Sequence, residues 1–188
     1  YPYAHGTETL GEVIQNSCND GMMAIGRKMG AALLLDYQSR FNFGSRTGID
    51  LPNESSGAIY TLDQMKDMEL ASTTFGQGFT STMIQEISAI SAVINGGTYY
   101  QPHVVKEIKS QEDGSVLKTN EGNVLKHIVS SDVSEKIREY MGMSVTSGTS
   151  RKSKVQGYSM GGKTGTAEIL STKEKDYLVS FIGFAPLD

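Results

Sequence analysis

A chain of 188 residues is long enough to bury the core of one ordinary domain and too short to assume two. Its 17 Lys and Arg against 21 Asp and Glu leave a formal charge of -4 with no long basic run, which argues against a nucleic-acid partner. The longest apolar runs, such as Ala31 to Leu35, fall far short of the roughly 20 residues of a membrane-spanning helix, and the single Cys18 excludes an internal disulfide. Tyr1 is no initiator, and no basic stretch followed by an apolar run opens the chain. It therefore reads as part of something longer, with any anchor or signal expected upstream.

Thr9 and Glu12 have capping-box spacing and Leu10, Val13 and Ile14 share a face, so a helix is predicted over about 10–16, stopping at Ser17-Cys18-Asn19. Asp20 is the expected cap of a second helix through Met22, Met23, Ala24 and Ile25, and 31–41 reads as a third, ended by Gly44. The turn-rich run 44–57 reads as a surface loop, and Thr61 with Gln64 is expected to open another helix. After the loop Phe75-Gly76-Gln77-Gly78-Phe79, a strongly patterned helix is predicted from Thr82 to about Asn95, closed by Gly96-Gly97. The period then changes. Val104 to Ile108 and Val116 to Lys118 flank Glu112-Asp113-Gly114, a hairpin signal, and Asp132 to Met143 fits one more helix. Tyr158 to Leu170 and Tyr177 to Ala185, separated by the polar run from Ser171 to Asp176, read as an antiparallel pair. Helices first and strands last predict an α+β fold in a single domain: 1–145 mainly helical with a small hairpin at about 104–118, then antiparallel sheet strands over 155–188.

The densest chemistry is Gly161-Gly162-Lys163-Thr164-Gly165-Thr166-Ala167-Glu168 on a predicted strand. A strand of small residues lets a ligand's backbone approach closely, since Gly165 adds no side chain at the sheet surface. Alternation puts Thr164 and Thr166 on one face, so two hydroxyls can line one ligand. Gly157 and Gly162-Lys163-Thr164 have four residues between them, the spacing of a phosphate-binding loop; that reading requires a helix after Thr164, where a strand is predicted. Ser17-Cys18-Asn19, taken alone, reads as helix-capping residues at a junction. Together, Ser17-Cys18-Asn19 and Lys163-Thr164-Gly165 correspond, in order, to the second and third elements of the Ser-x-x-Lys, Ser-Asp-Asn, Lys-Thr-Gly signature of β-lactamases and penicillin-binding proteins, with Cys18 at the middle position.

Nearly the whole chain resembles the class B penicillin-binding proteins, the monofunctional D,D-transpeptidases. The further stretches that carry this are Thr47-Gly48-Ile49-Asp50-Leu51-Pro52, Phe75-Gly76-Gln77-Gly78, Asn95-Gly96-Gly97 with Pro102-His103-Val104-Val105-Lys106, and Phe181-Ile182-Gly183-Phe184-Ala185-Pro186. Ser150 departs from the Gly that many relatives carry after Gly-Thr. The resemblance implies the penicillin-binding/β-lactamase-like transpeptidase fold, here a helical subdomain plus two of the central sheet's five antiparallel strands, as part of a single transpeptidase domain. It implies acyl-serine cross-linking of peptidoglycan stem peptides ending in D-Ala-D-Ala, acylation by β-lactam antibiotics, no cofactor, and a membrane-anchored parent at the extracytoplasmic face with cell-wall synthesis partners.

By the same resemblance, Ser17 relays a proton to the leaving amine, held close to Lys163, and Asn19 orients the substrate amide. Lys163 attracts the substrate carboxylate, Thr164 and Thr166 hydrogen-bond it beside Gly165, and the Thr166 backbone N–H forms half of the oxyanion hole. The nucleophilic Ser-x-x-Lys pair is expected upstream of Tyr1. Only Ser115 precedes a lysine, Lys118, by three positions, and on a predicted strand those residues face opposite ways. His5, His103 and His127 lack metal-like spacing, so no metal is expected. Cys18 reads as a packing residue. Two other readings stay open: a non-catalytic module that binds stem peptides or β-lactams, and an interaction domain of the division machinery.

Overall fold

The structure, a computed structural model, describes residues 5–169 and 176–187. In chain order the helices begin with α1 (Leu10–Asn16), α2 (Asn19–Met29), α3 (Ala31–Arg40), α4 (Asp67–Thr74) and α5 (Met83–Ile94). Four short strands follow: β1 (Thr98–Gln101), β2 (Glu107–Lys109), β3 (Val116–Thr119) and β4 (Asn123–His127). Helix α6 (Ser131–Thr146) then leads to β5 (Gly161–Ile169) and β6 (Asp176–Phe184). No helix among the described residues is long and apolar enough to cross a membrane. The chain divides into two compact units, one formed by the residues up to Leu35, Tyr60–Phe79 and those from Glu135 onward, the other by Asp36–Ile59 and Thr80–Ser134.

In the first unit, α1 starts where its capping box requires: the Thr9 N–H donates to Glu12 Oε2 at 2.7 Å and the Glu12 N–H to Thr9 Oγ1 at 3.4 Å. It ends at Ser17, which adopts the left-handed conformation (φ 55°, ψ 47°) and sends its N–H back to the last turn. The next helix is capped by Cys18, whose Sγ accepts from the Gly21 N–H at 3.4 Å. Asp20, the expected cap, lies inside the first turn of α2. Helix α2 packs on α4 so closely that a Cβ at Gly26 would come within 2.0 Å of Thr74 Cγ2. Helix α4 starts later than Thr61: Gln64 Oε1 accepts the Thr61 N–H at 2.9 Å, but residues 62–64 close only a turn, and the helix begins after Lys66, whose N–H donates to Glu69.

Strands β5 and β6 pair antiparallel without a bulge from Gly161↔Phe184 to Ile169↔Asp176. The described part of the predicted first strand therefore begins at Gly161, three residues after Tyr158, while Leu170 and Ser171–Lys175 lie outside the described residues. Glycine at 161 and 162 is a packing requirement: a Cβ there would fall 2.5 Å from the rings of Phe184 and Phe181 respectively.

The second unit has its core in Ala92, Tyr99 and Ile128, with Tyr37, Phe41 and Val129 against them. Helix α5 begins after Thr82, as its apolar pattern predicts, and opens with a second capping box formed by Thr82 with Gln85. Fully buried, Gln85 does more than cap: its Nε2 donates to the carbonyls of Asn42, Ser45 and Ser56 at 2.8–3.0 Å, pinning the 42–57 loop. That loop is further tied by Glu54, which accepts from the Thr47 N–H and Oγ1, both at 2.6 Å, and from the Gly48 N–H at 3.0 Å. Asp50 accepts the Val104 and Val105 N–H groups at 2.7 and 2.9 Å. Those two bonds explain why the hairpin begins at Glu107 and not at Val104: the earlier donors are already taken. Sequence reading missed a sheet here altogether, β1 with β4, because a bulge between Tyr99 and Tyr100 breaks the alternation of β1.

Replacing Gln85 by Ala would strand three carbonyls and the Thr82 cap in a buried site. The expected outcome is a loss of about 2–4 kcal/mol in urea unfolding of the chain. An unchanged midpoint would show that Gln85 does not hold the loop.

Candidate active site

Of the sequence-predicted site residues, the structure joins Ser17 and Lys163 directly. Lys163 Nζ donates to Ser17 Oγ at 2.7 Å, joining residues 146 positions apart, and to its neighbour's Thr164 carbonyl at 2.9 Å. Ser17 is half-buried where α1 ends, and Asn19 is exposed as the first residue of α2. Lys163 and Thr164 are half-buried in β5, and Thr166 is exposed on the same strand. Burial pushes the Lys163 ammonium below its ordinary pKa. Both of its acceptors are neutral oxygens, and no salt bridge to it occurs among the described residues. It can therefore act as a hydrogen-bond donor to Ser17 and release its proton more readily than a surface lysine.

Gly165 requires a second reason beyond ligand approach. A Cβ there would lie 2.7 Å from Ser180 Oγ, its register partner on β6. The continuous strand from Gly161 to Ile169 also removes the phosphate-loop reading, which needs a helix N-terminus after Thr164. Ser115 precedes β3 and gives its hydroxyl to Asp113 at 2.7 Å, so it forms no Ser-x-x-Lys helix with Lys118.

Two residues that sequence reasoning passed over hold this arrangement. The first is Glu8: its Oε1 accepts from Asn16 Nδ2 at 2.6 Å, and its carboxylate also hydrogen-bonds the Cys18 side chain, bracing both neighbours of Ser17. Those bonds, from Asn16 first and Cys18 second, hold the Glu8 carboxyl below its usual range against the opposing effect of burial, with His5 adding a smaller pull. Reciprocally, Glu8 pushes the Cys18 thiol up, which disfavours a reactive thiolate. One ligand atom each of His5, Glu8 and Cys18 lies within 4.8 Å of the others, a grouping that sequence spacing did not signal. His103 and His127 belong to the other unit, where His127 Nδ1 shares a 3.2 Å hydrogen bond with Thr98 Oγ1.

The second is Ser150, noted in the sequence only as a departure from Gly. It is fully buried; its Oγ accepts from the Thr164 N–H at 3.1 Å and from Ser144 Oγ at 2.9 Å. The preceding Thr149 N–H donates to the Gln15 carbonyl at 3.1 Å, and a Cβ at Gly148 would sit 2.3 Å from that same oxygen. One tight loop after α6 thus grips the end of α1 and the middle of β5 together.

The model of the family described as the penicillin binding protein transpeptidase domain matches residues 2–188. The chain belongs to this family. Stage V sporulation protein D of Bacillus subtilis is 41% identical over 187 residues, covering 98% of this chain and 29% of that protein. The peptidoglycan D,D-transpeptidase MrdA of Acinetobacter baumannii is 30% identical over 207 residues, covering 98% and 30%. The chain thus spans less than a third of the length of these curated relatives. Among solved structures, penicillin binding protein 3 of Mycobacterium tuberculosis in complex with ampicillin is similar with a TM-score of 0.87 at 28% identity, covering 99% of this chain and 44% of that one. The fold is the penicillin-binding/β-lactamase-like one, of the class B penicillin-binding proteins.

The Glu8 brace carries a pH signature. Because its folded-state pKa is depressed, its stabilisation is fully present above the ordinary carboxylate range and is lost as pH falls through the lowered value. Glu8→Gln is expected to melt below wild type at neutral pH, with the gap closing on acidification in thermal melts across a pH series. A gap independent of pH would contradict the brace.

Proposed function

We propose that this chain is part of one transpeptidase domain, whose parent protein cross-links peptidoglycan stem peptides ending in D-Ala-D-Ala and is acylated by β-lactams. The observation that carries this is the 2.7 Å bond from Lys163 to Ser17 beside a Thr-Gly-Thr strand edge. Family membership and the ampicillin complex of the Mycobacterium tuberculosis relative support it.

A serine outside these 188 residues attacks the penultimate D-alanine carbonyl and passes its proton to a lysine one turn away. The C–N bond breaks, and the departing D-alanine amine takes a proton from Ser17, which regains one from that lysine, so the nucleophile's proton is relayed to the leaving group. Lys163 makes that relay directional: by donating to Ser17 Oγ it occupies a lone pair and leaves the hydroxyl hydrogen to point at the amine. The Lys163 charge also attracts the terminal carboxylate, Thr164 and Thr166 hydrogen-bond it beside the bare backbone of Gly165, and Asn19 orients the peptide amide. The Thr166 N–H stabilises the oxyanion. A second amine then takes the acyl group and restores the serine. No cofactor or metal enters these steps. Stem-peptide cross-linking assigns the parent to the extracytoplasmic face of the bacterial membrane, anchored there with other cell-wall synthesis proteins.

The test is covalent labelling by a fluorescent penicillin. The full-length protein is expected to label, the 188-residue chain alone to stay unlabelled, and Lys163→Ala in the full-length protein to slow labelling by about a hundredfold or more. Labelling of Lys163→Ala at the wild-type rate would exclude this site.

A further inference from the structure

Strand β5 pairs only with β6 among the described residues, so its other edge carries no strand. In an antiparallel ladder a residue's N–H and C=O point to the same side, and that side alternates along the strand. The Thr164 N–H goes to Ser150 and its carbonyl to Lys163 Nζ, which places both groups of Thr164 on the free edge. By alternation, the next backbone groups on that edge are those of Thr166. The chain's own side chains have thus filled the Thr164 position. An extended ligand pairing with β5 finds its first open N–H and C=O at Thr166.

We infer that Ser150 is a positioning residue: by occupying the Thr164 N–H it closes one end of the β5 edge and fixes the register in which a peptide or β-lactam lies along it. This rests on the transpeptidase reading above. The design of the contact supports it. Ser150 and Ser144 are both fully buried, and Ser144 donates to Ser150, so the Ser150 oxygen accepts two hydrogen bonds and is held in place. The same loop is locked to α1 through Gly148 and Thr149 at Gln15, two residues before Ser17. Ser150 therefore references the strand edge to the proton-relay serine. With an alanine there the Thr164 N–H is orphaned, and a ligand can slide to pair with it. Misplacement of this kind, short of removing a catalytic group, lowers the rate of reaction more than the affinity.

The experiment is acylation of the full-length protein by a fluorescent penicillin, separating the rate constant at saturation from the drug concentration at half-maximal rate. Ser150→Ala is expected to lower the saturating rate about tenfold with little change in half-saturation. A structural defect alone would track stability, and the double variant Ser144→Ala/Ser150→Ala separates the two. Removing the stranded Ser144 hydroxyl is expected to return the melting temperature toward wild type while acylation stays slow. If the rate recovers with the melting temperature, or if Ser150→Ala acylates at the wild-type rate, the inference falls. Should the variants fail to fold, hydrogen exchange in the wild-type protein decides. The Thr164 amide is expected to be protected well beyond that of Thr166, and equal exchange would overturn the proposal. A wild-type protein that never labels removes the transpeptidase reading itself, and this inference with it.

Discussion

The first unit is organised by the need to keep a half-buried ammonium against a serine hydroxyl that the chain meets 146 residues earlier. Removing a cation from water is unfavourable unless hydrogen bonds replace its hydration, and Lys163 has two neutral oxygens for that purpose. Its depressed pKa is the physical residue of that compromise. A carboxylate partner would hold the lysine more firmly and tie up its proton. Neutral acceptors leave it a donor that can adjust as charge develops next to it.

Much of the surrounding sequence follows from this demand. Ser17 must leave α1 in a left-handed conformation to face β5, a strained choice for a residue with a side chain, and Glu8 offsets that by tying down Asn16 and Cys18 on either side. Strand β5 must run past with little bulk at its start, because the rings of Phe181 and Phe184 on β6 lie over Gly162 and Gly161. The loop from Gly148 to Ser150 then sets the distance between the two elements, gripping Gln15 with one backbone N–H and Thr164 with a side chain. In the second unit Gln85 plays a comparable part for the 42–57 loop, with one amide satisfying three carbonyls that no regular element covers.

Local signals were legible in the sequence. The capping box at Thr9 and the apolar pattern after Thr82 predicted two helix starts, and the expectation from the family resemblance that Ser17 lies close to Lys163 matches their 2.7 Å bond. The failures have a common origin in tertiary competition for backbone groups. Val104 and Val105 look like strand residues, yet Asp50 claims their N–H groups. Thr61 and Gln64 form the expected bond but close only a turn, and the cap expected of Asp20 falls to Cys18, two residues earlier. Ser150 and Glu8 carry no local pattern, because their partners lie 14 and 8 residues away in other elements.

The central claim is that Ser17 and Lys163 work as one unit. A double-mutant cycle on the full-length protein, reading the acylation rate for Ser17→Ala, Lys163→Ala and the pair, tests it most directly. The account predicts that the double variant is scarcely slower than the worse single variant. Losses that multiply as if the two residues were independent would contradict it.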